Sequence, residues 1–449
     1  MRISQICASD LPNHADFLQN QAIMTFNSQK RFVFSVVYGL ILAAATLAGV
    51  EFLSSFYAPP WPARALRAMA PITSATALKP PFTEQPWLGN AQNSWGMRDS
   101  ERTIAKPAGG APRTVFVGDS FVESPFTPLS LPGAVERAMA AAGRPIEAID
   151  FGVSGTDPRS YYFRIRDVVL KLSPDAILLF IYAGNDFMAA NAGYSAWPAL
   201  IDEAPGSSLL GSIMPRTNWL LINRLRLAQF FQGRAPAPPE EEAMLYDAVN
   251  APAAEQLPRL VEHVKKYHYP ELSDANIAEI LSRGDNRYWR ATESGEGEQE
   301  YLLGWMIDIL MNWETRDFDV ARDRKDAARL AGNGEVEATF SWIEAADRLA
   351  REHKVPLIVS LVPVGTVDPE YAEFWKPWPR AYSWNYLCDE WQSRLAAALG
   401  KTKIHFVDLR DDLNGIPGTY RKLDGHWSRK GTAIVADRVQ RELKSLLDR

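Results

Sequence analysis

The sequence predicts an α/β fold in three layers, α/β/α, built around a parallel sheet. From Thr114 onward, short apolar runs alternate with amphipathic stretches of helical length, which is the pattern of strand–helix–strand units. The run Ala176–Tyr182 is apolar on both faces, as expected of a strand in the middle of a parallel sheet. The composition, 47% hydrophobic and 23% charged over 449 residues, is typical of a chain that folds around a core.

Five strands and five helices make up this alternation. The predicted strands are Thr114–Val117, Ile146–Phe151, Ala176–Tyr182, Val355–Leu361 and Lys403–Leu409. The predicted helices are Leu131–Ala142, Arg159–Leu172, Val336–His353, Ser383–Leu399 and Ser428–Leu447, the last with Ser428 as N-cap. The two parts of the predicted domain therefore span 114–190 and 336–449.

The alternation stops between these two parts, and we expect a helical insertion over 191–335. Ser273 is suited to cap one of its helices, and Glu298–Trp313 is predicted to form another. The insertion is interpreted either as a packing subdomain or as a lid or wall for the substrate.

The N-terminal region contains an apolar segment, Phe32–Val50, without a charged residue. At about 1.5 Å per residue it spans roughly the hydrocarbon core of a bilayer. Because Lys30 and Arg31 precede it, the positive-inside rule predicts a cytoplasmic arm at 1–31, a transmembrane anchor at 32–56 and a periplasmic or extracellular remainder. A Pro-rich linker and lead-in would follow at 57–113. A cleaved signal peptide and a buried core helix are the alternatives for the apolar segment.

Charge and cysteine content exclude several classes of protein. A net charge of −6 without a dense Lys/Arg run argues against a nucleic-acid partner. The two cysteines, Cys7 and Cys388, belong to no C-x-x-C or Cys/His pattern, which excludes a disulfide framework and a cysteine-based zinc site. We expect neither a metal nor an organic cofactor to take part in the reaction.

The first strand runs directly into Gly118-Asp119-Ser120. A tight turn there presents the Ser120 hydroxyl near the N-terminus of the next helix, where backbone N–H groups favour an oxyanion. Ser120 is therefore a candidate nucleophile, although Gly-Asp-Ser is also a common loop sequence.

Two further strand ends carry candidates for an oxyanion hole. Gly155 follows the second strand, and its N–H could point at a substrate oxygen; an ordinary turn is the alternative. Asn185 follows the third strand and could donate an amide N–H without adding charge, or simply turn the chain.

His426, in the polar loop before the last helix, is the candidate general base, and Asp424 could orient its other ring nitrogen. The positions of the remaining histidines do not favour a catalytic role. His14 precedes the anchor, His353 ends a helix and is expected to be solvated, His405 lies in an apolar strand and is expected to be packed, and His263 and His268 belong to the insertion.

Taken together and in this order, Ser120, Gly155, Asn185 and His426 resemble the four blocks of the SGNH/GDSL hydrolases. The resemblance covers about 114–185 and 355–447. It implies a flavodoxin-like α/β/α fold, a Ser120–His426–Asp424 triad and an oxyanion hole from Ser120, Gly155 and Asn185. Asp424 stands two positions before His426, whereas the family usually places the acid three before. This D-x-H-W form resembles membrane-linked relatives active on extracellular polysaccharides, some of them O-acetyltransferases.

The sequence therefore predicts a serine-dependent acyl-ester hydrolase (esterase or deacetylase) acting on an acyl ester or acylated glycan outside the cytoplasm. An O-acetyltransferase of a cell-envelope or extracellular glycan and a non-catalytic envelope assembly protein are the alternatives. An aromatic group could stack on sugar rings, line an acyl groove or pack the insertion onto the sheet. It consists of Phe374, Trp375, Trp378, Tyr382, Trp384 and Trp391.

Overall fold

The computed structural model divides the chain into two compact units. The first comprises Met1–Ala58 with Leu209–Arg224, and the second comprises Pro59–Ser208 with Leu225–Arg449. The structure describes residues 14–58, 61, 93–124, 127, 129–189, 209–225, 239–249, 251–283, 292–293, 299–300, 304–315, 319–422 and 425–447. Asp424, Cys7 and most of the Pro-rich stretch lie outside the described residues.

The first unit is dominated by one long helix, His14–Ser54. Its part Lys30–Ser54 is long and apolar enough to cross a membrane, and none of the most apolar stretch is buried in the structure. A helix of the protein core would be covered by other elements, so the alternative of a core helix does not fit. The helix ends at Ser54, close to the predicted end of the anchor.

Short helices from the predicted insertion complete the first unit, at Leu209–Ile213 and Pro215–Trp219. The Glu51 carboxylate accepts hydrogen bonds from the backbone N–H groups of Arg216 (2.8 Å) and Thr217 (3.0 Å). These N–H groups lie in the first turn of the second short helix, where no intrahelical acceptor exists. Glu51 therefore caps that helix, and this part of the insertion packs against the N-terminal helix.

The second unit is built on a five-stranded parallel sheet. Its strands are β1 (Arg113–Gly118), β2 (Glu147–Gly152), β3 (Ala176–Tyr182), β4 (Leu357–Val362) and β5 (His405–Asp408). Their order in the sheet is β2-β1-β3-β4-β5. This is the doubly wound, flavodoxin-like order, and the predicted fold class is confirmed. The order reverses direction between β1 and β3, so a crevice opens there at the carboxyl ends of the strands.

Helices cover both faces of this sheet. Alternate strand residues point to opposite faces, so Val115 and Val117 belong to one hydrophobic core, whereas Phe116 belongs to the other. On the first face lie the helices Pro158–Asp167, Gly334–Glu352 and Pro379–Leu399. On the second face lie Leu131–Ala141 and Arg429–Leu447.

Among the helices that cover the sheet, two boundaries differ from the prediction by more than two residues. The helix expected to reach Leu172 ends at Asp167, and a 3₁₀ turn, Val169–Leu172, follows. The helix expected to begin at Ser383 begins at Pro379. Its first turn is stabilised by Glu314, whose Oε1 accepts the N–H groups of Arg380 (3.0 Å) and Ala381 (2.9 Å). Since Glu314 is distant in sequence, the pattern near Ser383 could not reveal this cap.

The rest of the insertion contributes helices with a hydrophobic core of their own, which includes Trp375 and Trp378. These helices are Pro239–Val249, Ala253–Tyr267, Asp274–Ser282 and Gly304–Thr315. The helix Arg324–Leu330 packs instead against the first face of the sheet, through Ala327. Ser273 caps its helix as predicted, because its Oγ accepts the N–H of Asn276 (3.2 Å). The helix predicted from Glu298 begins only at Gly304, because Gln299–Glu300 pairs with Thr292–Glu293.

A buried guanidinium joins the ends of β1 and β2. Arg164 lies in the helix Pro158–Asp167 and is fully buried. Its Nη1 donates to the carbonyl oxygens of Gly118 (3.0 Å) and Phe151 (2.7 Å), and its Nη2 donates to the Thr156 hydroxyl (3.1 Å). Burial lowers the pKa of Arg164 to about 10, so the group remains charged at neutral pH. One cation thus holds the last residue of β1, Gly118, and the second-last residue of β2, Phe151.

Replacing this cation should destabilise the second unit. Arg164→Met fills similar space but removes a buried charged donor from two carbonyl groups, of which that of Gly118 keeps the N–H of Val153 (3.1 Å), and we expect it to lower the free energy of unfolding by about 3 kcal/mol. Arg166→Met is the matched control, because Arg166 lies on the same helix, is partly exposed and should cost less than about 1 kcal/mol. Guanidinium unfolding of the full chain in detergent, followed by tryptophan fluorescence, measures both. Equal losses would contradict the role given to Arg164.

Candidate active site

Ser120 stands two residues after the end of β1, at the start of the short helix Ser120–Glu123. The buried Asp119 carboxylate caps this helix by accepting the N–H of Phe121 (2.9 Å). Gly118 is required just before it, because a Cβ there would lie 2.6 Å from a methyl carbon of Val122. The turn therefore holds the half-buried Ser120 hydroxyl at the carboxyl edge of the sheet.

His426 lies against this serine. Its Nε2 is 2.7 Å from the Ser120 Oγ, although the two residues are 306 positions apart in the chain. The loop around His426 folds back on itself, since the N–H of Arg421 donates to the His426 carbonyl (2.7 Å) and the N–H of Gly425 to the Arg421 carbonyl (3.0 Å). Gly425 has φ of +76°, which a glycine adopts without strain.

This loop is anchored by a residue that the sequence did not single out, Asp368. One carboxylate oxygen of the buried Asp368 accepts the N–H of Glu370 (2.8 Å) and thereby caps a helix. The other accepts the N–H of Tyr420 (2.9 Å), six residues before His426. The Asp368-Pro369 pair is a recognisable helix start, but nothing in the sequence linked it to Tyr420.

Asn185 joins the same turn from the end of β3. Its Nδ2 donates to the Asp119 Oδ2 (3.2 Å), which leaves the second amide hydrogen for another acceptor. The neighbouring residues are also held in place. Trp384 donates its ring N–H to the Gly184 carbonyl (3.3 Å), and Asp186, fully buried, accepts the N–H of Tyr182 (2.7 Å). Burial raises the pKa of Asp186 well above its ordinary value.

Gly155 is exposed and has φ of +72°, in the loop after β2. The preceding residue, Ser154, donates its N–H to the Glu123 Oε2 (2.9 Å), and Glu123 is in the helix that begins at Ser120. The N–H of Val153 donates to the Gly118 carbonyl (3.1 Å). The loop that carries Gly155 is therefore attached to the Ser120 turn.

Aromatic side chains surround the Ser120–His426 pair. The Phe121 ring lies 4.9 Å from the His426 ring and 4.9 Å from the Trp427 ring, centroid to centroid. A small pocket, partly open to solvent, lies here and is lined by Ser120, Phe121, Ser124, Thr127, His426 and Trp427. The Ser124 hydroxyl donates to the Phe121 carbonyl (2.9 Å), so Ser120 is the better candidate nucleophile of the two serines.

A second buried carboxyl, Asp150, lies beneath these loops. Its Oδ1 accepts the N–H of Gly152 (2.8 Å) at the end of β2. Burial raises the pKa of Asp150 well above its ordinary value, and the charges of Asp99 and Glu123 raise it further, while Arg98 opposes them. Asp150 is therefore protonated over a pH range in which an exposed aspartate is charged.

The structure brings Ser120, His426 and Asn185 together around one turn, with Gly155 in an attached loop. Asp424 lies outside the described residues, so its role stays a prediction. The expectation of a packed His405 is wrong: its side chain is 41% exposed and pairs with Glu442 (3.0 Å), because the strand that carries it is at the edge of the sheet. His353 is exposed, as predicted.

The aromatic group near the fourth strand mainly packs the insertion. Trp375, Trp378 and Trp391 are buried. Trp378 donates its ring N–H to the Ile280 carbonyl (2.8 Å), and Trp375 donates to the Lys422 carbonyl (3.0 Å). These three rings are therefore not available as a stacking surface for sugars. Trp375 and Trp378 pack the insertion, as the packing interpretation has it, whereas Trp391 belongs to the core on the first face of the sheet.

Comparisons with known proteins give a loose structural likeness. No family model and no curated protein matches the chain. A GDSL-like lipase from Bacteroides thetaiotaomicron is similar with 13% identity and a TM-score of 0.32, over 74% of this chain and 88% of the other. A lipase/acylhydrolase from Enterococcus faecalis is similar with 13% identity and a TM-score of 0.29, over 74% and 96%. Identities and TM-scores this low do not determine the fold class, which is assigned from the strand order of the sheet.

The raised pKa of Asp150 predicts a pH-dependent stability. A carboxyl whose pKa is raised by folding contributes stability that is fully present below its unfolded pKa, about 3.9, and is lost as the pH rises toward the folded value. Asp150→Asn keeps an oxygen for Gly152 and removes this dependence. The free energy of unfolding of Asp150→Asn, taken relative to that of the wild type, should therefore be higher at pH 8 than at pH 5.

Asp323→Asn is the control for this measurement, because Asp323 is an exposed N-cap and asparagine caps as well as aspartate. Its difference from the wild type should be the same at both pH values. A difference for Asp150→Asn that stayed constant from pH 5 to pH 8 would contradict a protonated Asp150.

Proposed function

We propose that the chain is a serine-dependent acyl-ester hydrolase, with Ser120 as nucleophile and His426 as general base. The single observation that carries this proposal is the 2.7 Å contact between the Ser120 Oγ and the His426 Nε2 at the carboxyl edge of a doubly wound sheet. A serine hydroxyl is a weak nucleophile until a neighbouring base accepts its proton, and this distance permits that transfer.

The reaction proceeds in two steps. His426 accepts the Ser120 proton while Oγ attacks the ester carbonyl carbon, and the tetrahedral intermediate then collapses to an acyl-serine as His426 returns the proton to the leaving alcohol. In the second step His426 takes a proton from water, whose oxygen attacks the acyl-serine. The products are the carboxylic acid and the regenerated Ser120 hydroxyl. Asp424 is proposed to orient the His426 ring.

Three donors are proposed for the oxyanion: the N–H groups of Ser120 and Gly155 and the Asn185 amide. The first residue of a helix has no intrahelical acceptor for its N–H, so the Ser120 N–H is free for this role. Asn185 is positioned by Asp119, which takes one of its two amide hydrogens. Each such donor typically lowers the barrier by about 3–4 kcal/mol.

The second candidate function is transfer of the acyl group to a sugar hydroxyl instead of water. One observation favours it: Trp427, part of the D-x-H-W form that resembles glycan-modifying relatives, lines the pocket beside Ser120 and His426. The small pocket suits a short acyl group such as acetyl in both reactions. We therefore propose an acetyl or similarly short ester, and an acylated glycan as the substrate class.

We also propose that the N-terminal helix anchors the chain in a membrane with the second unit on the non-cytoplasmic side. Lys30 and Arg31 precede the apolar stretch, and Glu51 follows it. Exposed apolar side chains near the far end of this helix support an interfacial position for the short helices that pack there. They are Phe52, Leu53, Phe56, Tyr57, Leu209 and Ile213.

Ser120→Ala should abolish ester hydrolysis. We expect kcat/KM for 4-nitrophenyl acetate to fall by about 10⁴-fold or more, because the variant has no nucleophile for the base to activate. The full chain in detergent is assayed, with Ser341→Ala as a matched control, since Ser341 lies on the helix Gly334–Glu352 and bonds a carbonyl of that helix (2.8 Å). Activity that survives Ser120→Ala would contradict the proposal. An inactive wild type on both short- and long-chain esters would instead favour the non-catalytic alternative.

An acyl acceptor separates the two enzymatic candidates. The enzyme is given an acetylated donor with and without a short oligosaccharide. A hydrolase releases acetate at the same rate in both cases, whereas a transferase increases the mass of the oligosaccharide by one acetyl group. Both outcomes must disappear in Ser120→Ala, because both pass through the same acyl-serine.

Thiol labelling tests the orientation in the membrane. In intact cells, a membrane-impermeant maleimide should label Lys401→Cys, an exposed position of the second unit, and should label Cys7 only after permeabilisation. Cys388 is a silent background, because it is buried and burial raises the pKa of its thiol. Labelling of Cys7 without permeabilisation would contradict the orientation, and loss of Cys7 from the mature chain would show a cleaved signal peptide.

A further inference from the structure

Two histidines and a glutamate of the insertion meet away from the residues proposed for ester hydrolysis. Glu241 lies on the helix Pro239–Val249, His263 lies on the helix Ala253–Tyr267, and His268 directly follows that second helix. One ligand atom from each lies within 4.8 Å of the other two. From this arrangement we infer that Glu241, His263 and His268 form a binding site for a divalent transition-metal ion of the Zn²⁺ class.

The geometry suits such an ion. The His268 Nε2 and the Glu241 Oε1 are 3.0 Å apart, and the centroids of the two imidazole rings are 5.2 Å apart. Bonds of about 2.0–2.2 Å in a tetrahedral site require ligand atoms about 3.3–3.5 Å from one another. Shifts of about 1 Å or less would therefore bring all three ligands onto one ion, within the freedom of their side-chain torsions.

The chemistry of the donors narrows the choice of metal. Two imidazole nitrogens with one carboxylate oxygen favour Zn²⁺ or a neighbouring first-row ion over Mg²⁺ or Ca²⁺, which prefer oxygen ligands. Three protein ligands leave a fourth position for water. His263 is only 1% exposed, while His268 and Glu241 are 16% and 17% exposed, so the site has a buried side and an accessible side.

The position of the site between two helices indicates a structural effect of the ion. His263 and Glu241 belong to consecutive helices, and one ion would join them across the short connection at 250–252. Both helices contribute to the core that contains Trp375 and Trp378. The ion would therefore stabilise the insertion, in the manner of a structural metal that joins two helices.

Zinc binding by the full chain in detergent tests the inference. The chain is purified with an affinity tag that contains no histidine, and a chelator removes any bound metal before the measurement. Titration against a chromophoric chelator should show one Zn²⁺ bound per chain, and Zn²⁺ should raise the midpoint of thermal unfolding. His268→Gln should weaken binding by at least about 100-fold, more than the loss of an outer-shell partner usually does. Glu241→Gln provides a second variant that leaves the buried His263 in place.

His405→Gln is the matched control, because His405 and Glu442 also form a pair at 3.0 Å but without a described second histidine ligand. It should bind Zn²⁺ as the wild type does. Visible absorption of the Co²⁺-loaded chain should show a four-coordinate site that His268→Gln removes. The absence of stoichiometric binding, or equal binding by the wild type and His268→Gln, would overturn the inference and leave a simple His268–Glu241 ion pair. None of these measurements depends on ester hydrolysis.

Discussion

The carboxyl ends of β1 and β2 are held together by the buried guanidinium of Arg164, and the geometry of the proposed site depends on this contact. Buried carbonyl groups at the ends of strands need hydrogen-bond donors, and a charged donor gives the stronger bonds. Arg164 satisfies one carbonyl from each strand end and also binds Thr156 in the loop after β2. The strand ends from which the Ser120 turn and the Gly155 loop begin are therefore held in place.

The residues of the proposed site are arranged around residues 119–123, which follow β1. His426 contacts Ser120, Asn185 donates to Asp119, and the loop of Gly155 is bonded to Glu123 through Ser154. Each contact joins a different loop to the same short helix. A displacement of this helix would move the proposed nucleophile relative to all of its proposed partners at once, and the cap by Asp119 opposes such a displacement.

Much of this arrangement could be predicted from the sequence. The alternation of strands and helices predicted the sheet. Three residues of the proposed site, Ser120, Asn185 and His426, could be predicted because each follows or precedes a regular element at the same edge, and the structure places them together. The supporting residues were harder to find. Arg164, Asp368 and Glu314 act on backbone groups distant in sequence, and no local pattern signals such a contact.

The errors have similar physical causes. His405 lies in an apolar stretch of the sequence, but the strand that contains it is at the edge of the sheet, where a side chain can reach solvent. The sequence left the role of the tryptophans open, and packing is the interpretation that holds for Trp375 and Trp378, because the insertion needs a hydrophobic core of its own. The whole fold determines which strand lies at the edge of the sheet and which surface an inserted segment packs against, so a local stretch of sequence does not reveal either.

The central claim is that His426 activates Ser120, and covalent labelling tests it most directly. A fluorophosphonate should modify one serine of the full chain, and peptide mass spectrometry should identify it as Ser120. His426→Gln should slow this labelling by about 10³-fold or more, because the hydroxyl would lose its base. Modification of a different serine, or an equal labelling rate in the two proteins, would contradict the activation of Ser120 by His426.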